Sequence, residues 1–78
     1  MSKRIKINDH SRSRYFDSLY ELKVILEHDY LERVVSLHLR DSNNKLLPYY
    51  HLEITSDGCV KELYGNNVSW ELLSKQIQ

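Results

Sequence analysis

The residues best able to do chemistry in this chain are its four histidines, His10, His28, His38 and His51. Two of them lie in stretches that alternate apolar and polar residues, the spacing of a half-buried β-strand. Arg33 to Arg40 (RVVSLHLR) sets Val35, Leu37 and Leu39 against Val34, Ser36, His38 and Arg40. Tyr49 to Thr55 sets Tyr50, Leu52 and Ile54 against Tyr49, His51, Glu53 and Thr55. Paired as a hairpin, these strands place His38 and His51 diagonally on the solvent face, near Tyr49, Glu21 and Glu53. A histidine pair with a carboxylate has the parts of a general acid–base site or a zinc site. No spacing motif such as His-Glu-x-x-His accompanies it, so the simpler reading is the polar half of an amphipathic sheet. No catalytic residue, metal ligand or cofactor is therefore assigned.

Other reactive types carry less. Cys59 has no His or Lys tied to it by spacing, and a reactive thiol needs such a partner. There is no nucleophile elbow. Glycine occurs only as Gly58 and Gly65, which leaves no phosphate-cradling loop. The chain is expected not to be an enzyme.

Binding chemistry is better represented. Residues 1–14 hold Lys3, Arg4, Lys6, Arg12 and Arg14 against Asp9 alone, while the formal net charge of all 78 residues is zero. The pattern is a basic N-terminal arm on an acidic body, without global attraction to nucleic acid or an anionic membrane. Those five cations are candidate phosphate contacts, and Tyr49 and His51 could stack bases on the sheet face. The acidic body and the lack of an aromatic motif on adjacent strands weigh against that reading. Of the six tyrosines, Tyr20, Tyr50 and Tyr64 fit a core, Tyr30 and Tyr49 fall at or near exposed positions, and Tyr15 falls in a loop. Exposed tyrosine beside histidine and arginine is the composition of protein interfaces. Tyr49, His51, His38, Arg40 and Glu53 are thus the candidate partner face. The expected function is stoichiometric binding of a protein, as adaptor or inhibitor. The alternative is a small RNA- or DNA-binding domain using the arm and the exposed face. An open sheet face or edge would also allow a homodimer.

The elements that must position these residues can be read in part. With Asn43 and Asn44 as a tight turn, Leu37 faces Tyr50 and Val35 faces Leu52, and a slip of one residue would turn one apolar set to water. Pro48 cannot donate to a ladder, so Leu46 to Pro48 should flare or bulge. Ser56-Asp57-Gly58 reads as a three-residue loop that opposes Glu53 to Lys61 and Ile54 to Val60, ahead of a strand at Cys59 to Tyr64. A helix from Val68 or Ser69 to Ile77 follows, with Trp70, Leu73 and Ile77 in one stripe and Glu71 and Lys75 as an i,i+4 pair. Lys3 to Asn8 suits a short edge strand, and Asp9 to Asp17 a loop with an aromatic anchor.

Ser18 to Glu32 fits two templates. As a helix it has a capping box, Ser18 with Glu21, and a stripe of Leu19, Leu22, Ile25, Leu26 and Tyr30. As a strand it alternates at Tyr20, Leu22, Val24 and Leu26, and a turn at His28 to Leu31 would set Val24 opposite Val35. That agreement of faces favours the strand.

The expectation is one α+β domain spanning 1–78: an antiparallel meander of four strands, or five with Lys3 to Asn8, and a C-terminal helix on one face. The helical alternative gives the order α-β-β-β-α. A single cysteine favours a reducing, cytoplasmic setting, no run could span a membrane, and no signal peptide is expected. The absence of alanine suggests an AT-rich, phage-like source, and with it an inhibitor of a host system.

Overall fold

The structure is a computed structural model in which residues 4–77 are described. Five strands form one antiparallel sheet in the order β2-β1-β3-β4-β5: β1 (Ile5–Asn8), β2 (Ser13–Phe16), β3 (Arg33–Leu39), β4 (Tyr50–Ile54) and β5 (Val60–Glu62). Helix α1 (Leu19–Asp29) connects β2 to β3, and α2 (Trp70–Ile77) ends the chain. The fold is α+β with a C-terminal helix, as expected. Among the described residues no helix is long and apolar enough to cross a membrane.

One face of the sheet is covered. Ile5, Ile7, Phe16, Val35, Leu37, Leu39, Leu52, Ile54 and Val60 form a single cluster with Leu22, Leu26 and Tyr30 from the α1 region and Leu73 from α2. Among the described residues no polar or charged residue is buried with them. At this chain length the core is small, and Val24, Leu31, Val34, Leu46 and Leu72 remain exposed outside it.

The β3–β4 register is the expected one, with Leu37 opposite Tyr50 and Val35 opposite Leu52. The connection differs from a two-residue turn. Asp41 Oδ1 accepts from the backbone N–H groups of Asn43 (2.9 Å) and Lys45 (3.0 Å), and Asn44 takes φ +63°. The tip pairs Arg40 with Leu46, one residue out of step with the Leu37–Tyr50 pair, so the chain bulges between them at Pro48. The second hairpin follows the sequence reading: Glu53 opposes Lys61, Ile54 opposes Val60, and Gly58 turns at φ +89°. Its strand β5 is shorter than Cys59 to Tyr64. Its outer edge is taken by the following chain, where Glu62 N–H donates to Asn66 O and Val68 N–H to Val60 O.

The strand favoured for 18–32 is overturned. Ser18 Oγ accepts from Glu21 N–H at 3.1 Å and starts a helix whose Leu22 and Leu26 are fully buried. The reason is non-local. The flank of β3 that a strand at 20–26 would have used is taken by β1, which pairs Ile5 with Leu39 and Ile7 with Leu37. β1 is therefore a central strand and not an edge. Its other side is paired by β2, in the stretch expected to be a loop. As a result Tyr20, expected in the core, is 77% exposed on α1, whereas Tyr30 is buried; Tyr64, also expected in the core, falls in the turn beyond the shortened β5 and is 96% exposed.

α2 begins at Trp70, directly after Ser69, whose Oγ accepts from Leu72 N–H at 3.3 Å. Leu73 is buried, and Trp70 and Ile77 pack against the core. Tyr50 Oη donates to Gln76 Oε1 at 3.0 Å, and the Glu71–Lys75 pair forms at 3.9 Å.

Candidate functional site

Both helices pack on one side, so the other side of the sheet is open. Strand alternation and register decide what it displays: Lys6 and Asn8 from β1, Ser13 and Tyr15 from β2, Val34, Ser36 and His38 from β3, His51 and Glu53 from β4, and Lys61 from β5. Lys6 lies between Tyr15 and His38 across adjacent strands. Its ammonium stands 5.8 Å from the centre of the Tyr15 ring. His38 stacks on Tyr49 with centroids 5.3 Å apart and planes inclined by 25°. Tyr49 in turn meets His51 edge to face at 5.2 Å. Tyr15 and Tyr49 remain more than half exposed. A row of four rings and one cation, Lys6, thus crosses four strands, in the order Tyr15, Lys6, His38, Tyr49, His51.

Hydrogen bonds hold the row from the side. Ser13 Oγ donates to Asn8 Oδ1, which turns the Asn8 amide nitrogen towards His38, where it stands 3.4 Å from Nε2. That contact suits an unprotonated Nε2. Ser36 Oγ lies 3.4 Å from His51 Nδ1. The pKa of His38 is lowered from its usual value, first by burial and then by the charges of Lys6 and His51. A neutral His38 leaves its ring free to stack.

The expected face residues are therefore gathered, with one qualification. His38 and His51 each contact Tyr49, and Arg40 lies one step beyond His38 at the end of β3. Glu53 shares the face but is bound to Lys61 at 3.0 Å. Glu21 is not near them, because it belongs to α1 on the covered side. Among the described residues no group of three His, Cys, Asp or Glu side chains could hold a metal ion.

The basic residues of the first segment separate. Lys6 joins the open face. Arg4 is half-buried at the edge of that face, and its Nη1 donates to the Ile77 carbonyl. Arg14 points to the covered side, where it pairs with Asp29 at 3.1 Å and lies over the Phe16 and Tyr30 rings. Its pKa is raised by hydrogen bonding to Tyr30 and Asp29. Arg12 sits in the β1–β2 turn, which Asp9 organises by accepting from the N–H groups of Ser11 and Arg12. Those bonds hold the Asp9 carboxyl at about 2. Lys3 lies outside the described residues.

Tyr15 is the member of the row that the sequence reading missed. Its signal was present in Ser13-Arg14-Tyr15-Phe16, a short alternation whose Phe16 faces the core. It was hidden because Asp9 to Arg12 reads as part of one long polar loop. Tyr15 on β2 and Tyr49 at the start of β4 are separated by β1 and β3, with Lys6 and His38 between them.

No protein-family model matches the chain, and comparison with curated proteins and with solved structures finds no significant match.

Proposed function

We propose that this chain is a non-enzymatic binding protein that takes single-stranded nucleic acid on its open sheet face. The observation that carries this reading is the row Tyr15, Lys6, His38, Tyr49, His51 on the uncovered side. Exposed rings offer stacking surfaces to unpaired bases, and Lys6, standing among them, can meet a phosphate. Lys6 and Arg40 have no carboxylate partner among the described residues, so they are free to meet a phosphate. Of the five candidate phosphate contacts, the reading keeps Lys6 and Arg4. Arg14 is left out because it is tied to Asp29.

The test is fluorescence anisotropy with labelled single-stranded and duplex oligonucleotides over a range of salt. Single strands should bind more tightly than duplex. Log affinity should fall with log salt at a slope of about −0.7 per phosphate neutralised. Equal or absent binding of single strands at low salt sinks the proposal.

A protein partner is the second reading, favoured by apolar groups that share the open side. Leu46 and Val34 are exposed there, and the face carries the Glu53–Lys61 pair as well as cations. In that case the chain acts stoichiometrically as an adaptor or inhibitor. A partner recovered from lysate that survives nuclease, and is lost with Tyr49→Ala, would favour this reading over the first.

A further inference from the structure

The cations of the open face are not spread evenly. β1 enters the sheet at Ile5 and β3 leaves it at Leu39, and these two residues are paired, so Arg4 and Arg40 meet at one end of the sheet. Arg40 N–H donates to Arg4 O at 2.9 Å. One residue inward, Lys6 lies beside His38. Leu46, paired with Arg40 through the bulged hairpin, closes the outer side. The result is a depression of about 230 Å³ lined by Arg4, Lys6, Tyr15, His38, Arg40 and Leu46. Among the described residues no carboxylate lines it. The acidic residue of the face, Glu53, lies at the opposite end and is already neutralised by Lys61.

We propose that this depression is a subsite for the terminal phosphate of the bound single strand. The inference rests on the single-strand reading and adds a direction to it. An internal phosphodiester carries one negative charge, whereas a terminal phosphomonoester carries about −1.5 to −2 at neutral pH. Three permanent cations around one hollow match the larger charge. The guanidinium groups are suited to it by shape, because each planar fork can offer paired N–H donors to phosphate oxygens. Arg40 is also held from behind. Its Nη1 donates to Asn44 O at 3.0 Å, which holds its fork while leaving its other N–H groups for a ligand, and Arg4, whose Nη1 donates to Ile77 O at the end of α2, borders the hollow and adds charge to it. Tyr15 borders the hollow on one side, and His38 on the other leads directly to Tyr49. A phosphate seated there would bring its own nucleotide onto the rings and send the strand towards His51.

The experiment compares one internally labelled oligonucleotide in three forms: 5′-phosphate, 3′-phosphate and hydroxyl at both ends. Each is titrated against the full chain by anisotropy. One phosphorylated form should bind about tenfold more tightly than the hydroxyl form, the scale of one added charge-assisted hydrogen bond. Inorganic phosphate should compete away that preference. Arg40→Gln and Lys6→Gln should each abolish the preference, while Arg12→Gln, in the distant β1–β2 turn, should retain it. Equal binding of all three forms overturns the subsite and leaves the single-strand reading standing. A preference that survives both Arg40→Gln and Lys6→Gln also overturns it. Failure of every form to bind removes the subsite together with the reading on which it rests.

Discussion

The two faces of this sheet are built from the same strands by the same alternation, yet they answer to different demands. On the covered face each strand position is filled by what packing asks for. Ile5, Ile7, Leu37, Leu39, Leu52 and Ile54 are buried to 2% exposure or less against two helices. On the open face the only folding requirement is compatibility with water and with a strand. Serine, threonine or lysine would satisfy that at every position. The chain instead places two tyrosines and two histidines in or beside contact there, with Lys6 among them. The lesson is that the residues folding does not require are the ones to read for function.

Substitutions on the two faces should separate stability from binding, and the largest effect belongs to the covered face. Leu37→Ala, at a fully buried position in the central strand, should destabilise the fold by about 2–5 kcal/mol through lost burial and a residual cavity. In a domain this small that could be most of the total stability. Urea denaturation measures it, and a loss below about 1 kcal/mol would show that the core is loosely packed. On the open face, Tyr49→Ala should weaken single-strand binding by about 1–3 kcal/mol, the usual worth of one stacked base. The same variant should shift the urea midpoint little, because exposed substitutions usually change stability by less than about 0.5 kcal/mol. If Tyr49→Ala unfolds the protein, the open face is structural and the contrast fails.

The next effect tests why α1 exists. Ser18→Ala removes the acceptor for Glu21 N–H and should cost about 1 kcal/mol. Helical circular dichroism should fall on mild heating before the sheet melts, since α1 covers the face and is not part of the ladder.

The smallest effect follows from His38. Its folded pKa lies below the ordinary 6.5, so below that pH the unfolded chain binds more protons than the folded one. The stability contributed by the neutral ring is full above pH 6.5. It is lost as pH falls from there towards the lower folded value. The urea midpoint should therefore drop between about pH 7.5 and pH 5.5, and drop less in His38→Gln. The lowered carboxyls of Asp9, Asp29 and Asp57 act only below their ordinary value of 3.8, outside this window. An identical drop in the variant would mean that His38 is not desolvated by its neighbours.

Neighbours along the chain set the parts of the fold that local pattern reveals. Two alternating stretches joined by a short polar turn leave one register that buries both apolar sets, and β3–β4 adopts it. Asp57-Gly58 supplies the positive φ of the next turn, and the repulsion avoided at Glu53 selects Lys61 as its opposite. The Trp70, Leu73 and Ile77 stripe marks a helix that must dock. From the same patterns His38, Tyr49 and His51 could be placed on one face. The remaining parts depend on pairings between distant segments. Ser18 to Glu32 satisfies helix and strand templates alike, and its local pattern cannot break the tie. The tie is broken by a pairing outside the segment, Ile5 with Leu39 and Ile7 with Leu37, because β1 occupies the flank of β3 and leaves the segment only the covered face to bury against. The same non-local pairing carries Lys6 and Tyr15 up to His38, and joins Arg4 to Arg40 at the end of the sheet. Alternation says which side of its own strand a residue faces. Which other strand lies beside it depends on chain closure and on the competition of all segments for one small core.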